Sequence, residues 1–75
     1  MIDTFDLSPY TSLTRKHLPQ IEEKAHNFSS LFESVLEGII KNNRPYMYID
    51  DYPGLRGDAQ LNVAAAKYAL ELKKR

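Results

Sequence analysis

The sequence predicts a mostly α-helical domain of three helices: a short one, a long amphipathic one and a C-terminal one. An extended Tyr/Asp-rich connection leads into the last. Three observations carry this reading. Apolar residues recur at helical spacing over two long stretches, the prolines fall at the edges of those stretches, and 43% of the 75 residues are hydrophobic, which is ordinary for one folded unit. A chain this short buries only about 60% of the surface its unfolded form exposes. Its core is therefore marginal, and self-association is one remedy.

Each element has a local cause. Ile2, Phe5 and Leu7 form a lead-in that docks on the core. Ser8-Pro9 reads as an N-cap followed by proline at the first helical position, where the missing N–H is harmless, so a short helix is expected over Pro9 to Lys16. Pro19 disfavours helical geometry at Leu18 and predicts a break there. From Pro19 to Lys41, Ile21, Ala25, Phe28, Phe32, Val35 and Ile39 recur at steps of 4, 3, 4, 3 and 4, with Leu31, Leu36 and Ile40 widening the stripe. That spacing predicts one amphipathic helix of about six turns. Its acidic start and its end at Lys41 suit the helix dipole, Asn42-Asn43 is a fair C-cap, and Pro45 forbids continuation.

Residues 44–57 read as extended or turning. Tyr46 to Ile49 could make one short strand, and Pro53-Gly54 matches the centre of a type II turn. Asp58 is then the expected N-cap of a helix from Ala59 to Lys74. That helix carries two apolar stripes, Leu61-Ala65-Tyr68-Leu72 and, roughly opposite, Val63-Ala66-Leu70. One buried stripe suffices for a small domain, so Val63, Ala66 and Leu70 are expected to pair with a second copy in a homodimer.

Composition excludes several functions. Ten basic and ten acidic side chains cancel, so no overall field draws the chain to nucleic acid or an anionic membrane. The absence of cysteine removes disulfides and thiolate chemistry. The start, MIDTFDLSPY, lacks the basic and apolar regions of a signal peptide, and no apolar run is long enough to span a bilayer, so a cytoplasmic location is expected. His17 and His26 lack the spacing of a helical zinc pair, no serine sits in a nucleophile elbow, and no glycine-rich phosphate loop exists. Asp50, Asp51 and Asp58 do not follow a calcium-loop pattern, and Arg56-Gly57-Asp58, which matches an adhesive tripeptide, is explained by a turn and a cap. No enzyme, no metal and no cofactor are expected.

The segment RPYMYIDDYPGLRGD holds three of the five tyrosines. Tyrosine supplies large contact area at low entropic cost and tolerates a wet rim. Arg44, Tyr46, Tyr48, Asp50, Asp51, Tyr52 and Arg56 are therefore the candidate partner-binding residues, the tyrosines as anchors and the charges as the rim. The expected function is a non-catalytic protein-binding module, a small regulator, inhibitor or adaptor that occupies a partner protein's surface. Its size and class are those of small bacterial or phage regulators. Two alternatives stand beside it: a dimeric nucleic-acid-binding regulator using the basic clusters Thr14-Arg15-Lys16-His17 and Lys73-Lys74-Arg75, and a structural assembly subunit.

Overall fold

A computed structural model describes residue 2 and residues 4–74. Among the described residues there are three α-helices and no strand. A 3-10 turn at Arg15–His17 leads into α1 (Leu18–Phe28), followed by α2 (Glu33–Asn43), a second 3-10 turn at Arg44–Tyr46, and α3 (Pro53–Lys73). The three-helix class agrees with the sequence reading; the helix boundaries differ in four places, and the longest helix is the last.

The expected helix over Pro9 to Lys16 is replaced by a series of turns closed by Tyr10 N–H to the Leu7 carbonyl and Leu13 N–H to the Tyr10 carbonyl. Two bonds draw the backbone away from a helix. Ser8 N–H donates to Asp6 Oδ1 at 2.9 Å, and Ser12 N–H donates across the fold to Gln60 Oε1 at 2.7 Å. Short polar side chains at Thr11, Ser12 and Thr14 favour such alternatives over the helical ladder. Leu18 and Pro19 open α1 rather than interrupting a helix, with proline in the first turn where no N–H is needed.

The single helix expected from Pro19 to Lys41 is two. After α1, Ser29 Oγ donates to the His26 carbonyl (2.6 Å) and Ser30 Oγ to the Asn27 carbonyl (3.3 Å), so serine hydroxyls take over the work of the next turn. Phe32 is then extended (φ −65°, ψ 151°) and α2 starts afresh. The break rotates the helical wheel. Ile21 and Ala25 of the expected stripe are buried, but past the break Leu36 and Ile40 face inward while Phe32 and Val35 are exposed.

The extended connection is short. Arg44–Tyr46 coils into its 3-10 turn in place of a strand, and α3 begins at Pro53, which stands at N1 instead of in a type II turn. Asp58, expected as the cap, lies inside the helix and is exposed.

α3 is the centre of the molecule, with α1 and α2 both packed on it. Ala59, Ala64, Ala65, Ala66 and Ala69 are all buried, and three of them are consecutive, so this part of α3 is enclosed on every side. A helix apolar all round is a buried helix, and small side chains let its neighbours approach closely. Its two apolar stripes are thereby both explained within one chain. Asn62 Nδ2 donates to Asn43 Oδ1 of α2 at 3.2 Å, and Leu70 lines a groove with Ile40 and Lys41 of α2. The Val63-Ala66-Leu70 stripe therefore runs toward α2. Val63 and Ala66 are buried in the monomer and are unavailable to a second copy, which corrects the expectation for them; Leu70 is half-buried.

The N-terminal segment closes the core. Ile2, Tyr10 and Leu13 are buried, and the Phe5 ring meets Tyr68 edge-on (5.8 Å between centroids, 84°) while stacking with Tyr10 (6.3 Å, 16°). Such ring pairs add to the value of the area they bury.

Candidate protein-binding surface

The Tyr/Asp segment is fixed at Met47 and Ile49 by side chains of α3 one turn apart. Gln60 is fully buried and fully bonded. Its Oε1 accepts Ser12 N–H, and its Nε2 donates to the Met47 carbonyl (2.6 Å) and to Thr11 Oγ1 (3.2 Å). Arg56 Nε donates to Ser12 Oγ (2.9 Å) and its Nη1 to the Ile49 carbonyl (3.1 Å). Met47 drops into the core as the segment's apolar anchor. The surface segment is thus held chiefly by backbone carbonyls and one thioether.

All three rings are exposed: Tyr46 by 47%, Tyr48 by 59% and Tyr52 by 66%. Leu55, next to Tyr52 across the start of α3, is exposed by 46%. Tyr48 Oη donates to the Pro9 carbonyl at 3.1 Å, which ties that hydroxyl to the N-terminal segment. Arg44 and Asp51 are exposed. The Asp50 side chain is almost fully in solvent, 3.8 Å from Arg56 Nη1, and an ion pair so placed adds little to stability. Arg56, expected at the partner-binding rim, is partly buried and spends its hydrogen bonds on Ser12 and Ile49; it belongs to the scaffold of the site. Its place in α3 also removes the Arg56-Gly57-Asp58 tripeptide from any loop.

Two concavities share one residue, Lys67. The first, about 400 Å³, is lined by Phe5, Asp6, Tyr10, Lys67, Tyr68 and Glu71 among others. Lys67 Nζ stands 6.0 Å from the centre of the Tyr10 ring. Burial pushes the Tyr10 phenol up to about 12, with Tyr48, Asp6 and Glu71 adding to the shift. The Asp6 carboxyl is held below the usual carboxylate range by the Ser8 amide and then by the Ser8 hydroxyl. The second concavity, about 520 Å³, lies between α2 and α3 and is lined by Glu37, Ile40, Lys41, Arg44, Lys67 and Leu70. Arg44, which lines this groove, belongs to the same 3-10 turn as Tyr46.

Sequence reasoning missed Gln60, Lys67 and the groove. A glutamine between apolar residues at 59, 61 and 63 was the available signal for Gln60. Among the described residues, no three histidine or acidic side chains gather as a metal site, and no helix is long and apolar enough to cross a membrane. The fold and surface together define a small all-helical domain with an exposed aromatic and basic face. Comparisons with protein-family models, with curated proteins and with solved structures found no match.

Proposed function

We propose that this protein is a non-catalytic protein-binding module, a small regulator, inhibitor or adaptor that acts by covering part of a partner protein. One observation carries the reading. Tyr46, Tyr48 and Tyr52 are exposed on a segment whose backbone is pinned from below by Gln60 and Arg56. Rings presented on a fixed backbone lose little freedom on binding, which is what makes tyrosine an efficient anchor. Arg44, Asp50 and Asp51 stand around them as an exposed charged rim that selects among partners. Phe32, a further exposed apolar side chain (81%), stands at the opposite end of α2 from Tyr46.

The test is replacement of Tyr46, Tyr48 and Tyr52 by serine. None is buried, so the variant keeps its helical circular dichroism and its cooperative melt. Its capture of the partner recovered with the unaltered protein is expected to be lost. Equal capture by a folded triple variant removes the reading.

A further inference from the structure

The groove between α2 and α3 has a chemistry that specifies an occupant. Ile40 and Leu70 give it an apolar lining, while Lys41, Arg44 and Lys67 stand around it against the single carboxylate of Glu37. Three cations to one anion is a strong local excess in a chain whose charges cancel as a whole. Among the described residues, none of the three makes an ion pair, although Glu37 and Lys41 are one helical turn apart. Lys67 is drawn to the face of the Tyr10 ring instead. The groove is therefore greasy, and Lys41 and Arg44 stand beside it with no ion-pair partner among the described residues.

We propose that this groove docks an acidic amphipathic segment of a partner protein, with leucine-type side chains over Ile40 and Leu70 and carboxylates against Lys41, Arg44 and Lys67. The proposal rests on the protein-binding reading above and names the chemistry of its partner. A helix laid in a groove presents anchors at i, i+3, i+4 and i+7, the spacing that fills a cleft between two helices. A second copy of this chain fits less well, because it brings the same cationic excess to the same place. A phosphodiester backbone has nothing to set over isoleucine and leucine. Arg44 connects the groove to Tyr46, so one partner can span both surfaces.

The experiment uses the full chain and a fluorescein-labelled synthetic peptide with leucines at that helical spacing and glutamates between them. Fluorescence anisotropy at low salt is expected to show saturable binding that weakens as salt is added. Lys41→Glu with Arg44→Glu is expected to weaken it at least about tenfold, corresponding to about 1.4 kcal/mol. Both side chains are exposed, so the fold is retained; Lys41→Gln with Arg44→Gln gives a milder version that removes charge without reversing it. A peptide with serines in place of leucines is expected to bind at least about tenfold more weakly, and so is one with lysines in place of glutamates. Equal binding of the charge-reversed protein, or of the lysine peptide, overturns the proposal. So does tighter binding of duplex DNA than of the peptide. A dimer of the protein alone in sedimentation, dissociated by Lys41→Glu, overturns it in favour of a second copy. Amide chemical-shift mapping separates this proposal from the reading beneath it. Shifts centred on Lys41, Arg44, Lys67 and Leu70 support the groove. Shifts confined to Tyr46, Tyr48 and Tyr52 refute the groove and leave the tyrosine surface standing. Loss of capture in the triple tyrosine variant is judged independently of either.

Discussion

Replacing Gln60 by methionine isolates the polar clamp, because methionine fills nearly the same volume without a donor or a strong acceptor. The substitution strands the Met47 carbonyl and the Ser12 N–H, both of which lose partners at 2.6 and 2.7 Å. A buried group left without its hydrogen bond costs about 1–3 kcal/mol. Met47 is buried and bears the full penalty, whereas water can reach Ser12, so a loss of about 3 kcal/mol is expected for the pair. The whole domain, at about 0.05–0.15 kcal/mol per residue, has only about 4–11 kcal/mol to lose. Urea unfolding is expected to show a midpoint lowered by about 2–3 M, given a slope near 1 kcal/mol/M for so small a chain. Hydrogen exchange supplies the specific signature: the Ser12 amide, bonded to Gln60 Oε1, is expected to lose protection. A loss under about 0.5 kcal/mol, with Ser12 still protected, refutes the clamp.

Gln60→Glu tests the same site by pH. The buried carboxyl is neutral when protonated and can then both donate to Met47 and accept from Ser12, as glutamine does. Burial raises its folded pKa above the unfolded value, so stability is greatest below the unfolded pKa and is lost as pH rises through the folded one; acid titration of the melting temperature checks the sign. Tyr10 acts at the other end of the scale. With its folded pKa raised from 10.0 to about 12, the native state keeps a proton that the unfolded chain has released, so stability falls as pH rises between those values. Tyr10→Phe is expected to abolish the late step in the ultraviolet phenolate titration. Phe32→Ser is expected to raise stability by about 0.5–1 kcal/mol, because Phe32 occupies the N-cap of α2 without capping it and buries almost nothing. Gly38→Ala is expected to add about 0.5–1 kcal/mol in thermal unfolding, since the new methyl group meets nothing within 4 Å and the helix interior no longer carries glycine's entropy.

The helical class and the buried Ile21-Ala25 stripe were legible because periodicity reports which side of a helix is greasy. The break after Phe28 was not, because no proline or glycine marks it. Its agents are two serine hydroxyls, and serines on the outer face of a continuous helix look the same. The consequence is larger than a boundary error. A four-residue interruption resets the phase, and a stripe counted straight through it assigns Phe32 and Val35 to the wrong side. At α3 the opposite error arose. Pro53-Gly54 looks like a turn in isolation, yet proline at N1 with glycine behind it starts a helix equally well, and Arg56 N–H to the Tyr52 carbonyl closes the first turn. The exposure of the tyrosines was readable as a tendency of the residue type. The roles of Gln60 and Arg56 were not, since each also joins the segment to Ser12, more than forty positions away in the chain.

The excess of apolar surface inferred from the sequence is real, but it lies elsewhere than on α3. Two stripes on one helix imply a second chain only when one neighbour is available to cover them. Here the serine break supplies two neighbours by cutting one long helix into α1 and α2, and each covers a side of α3. The same cut turns Phe32 and Val35 outward and leaves α2 with its basic end beside Leu70. The exposed apolar surface of α2 is therefore a product of the break: α3 is satisfied at the cost of α2. A variant that bridged the break, with alanines at Ser29 and Ser30, would test this directly. If α1 and α2 fused, α3 would lose one of its covers, and a chain monomeric before the change would associate through Val63 and Ala66.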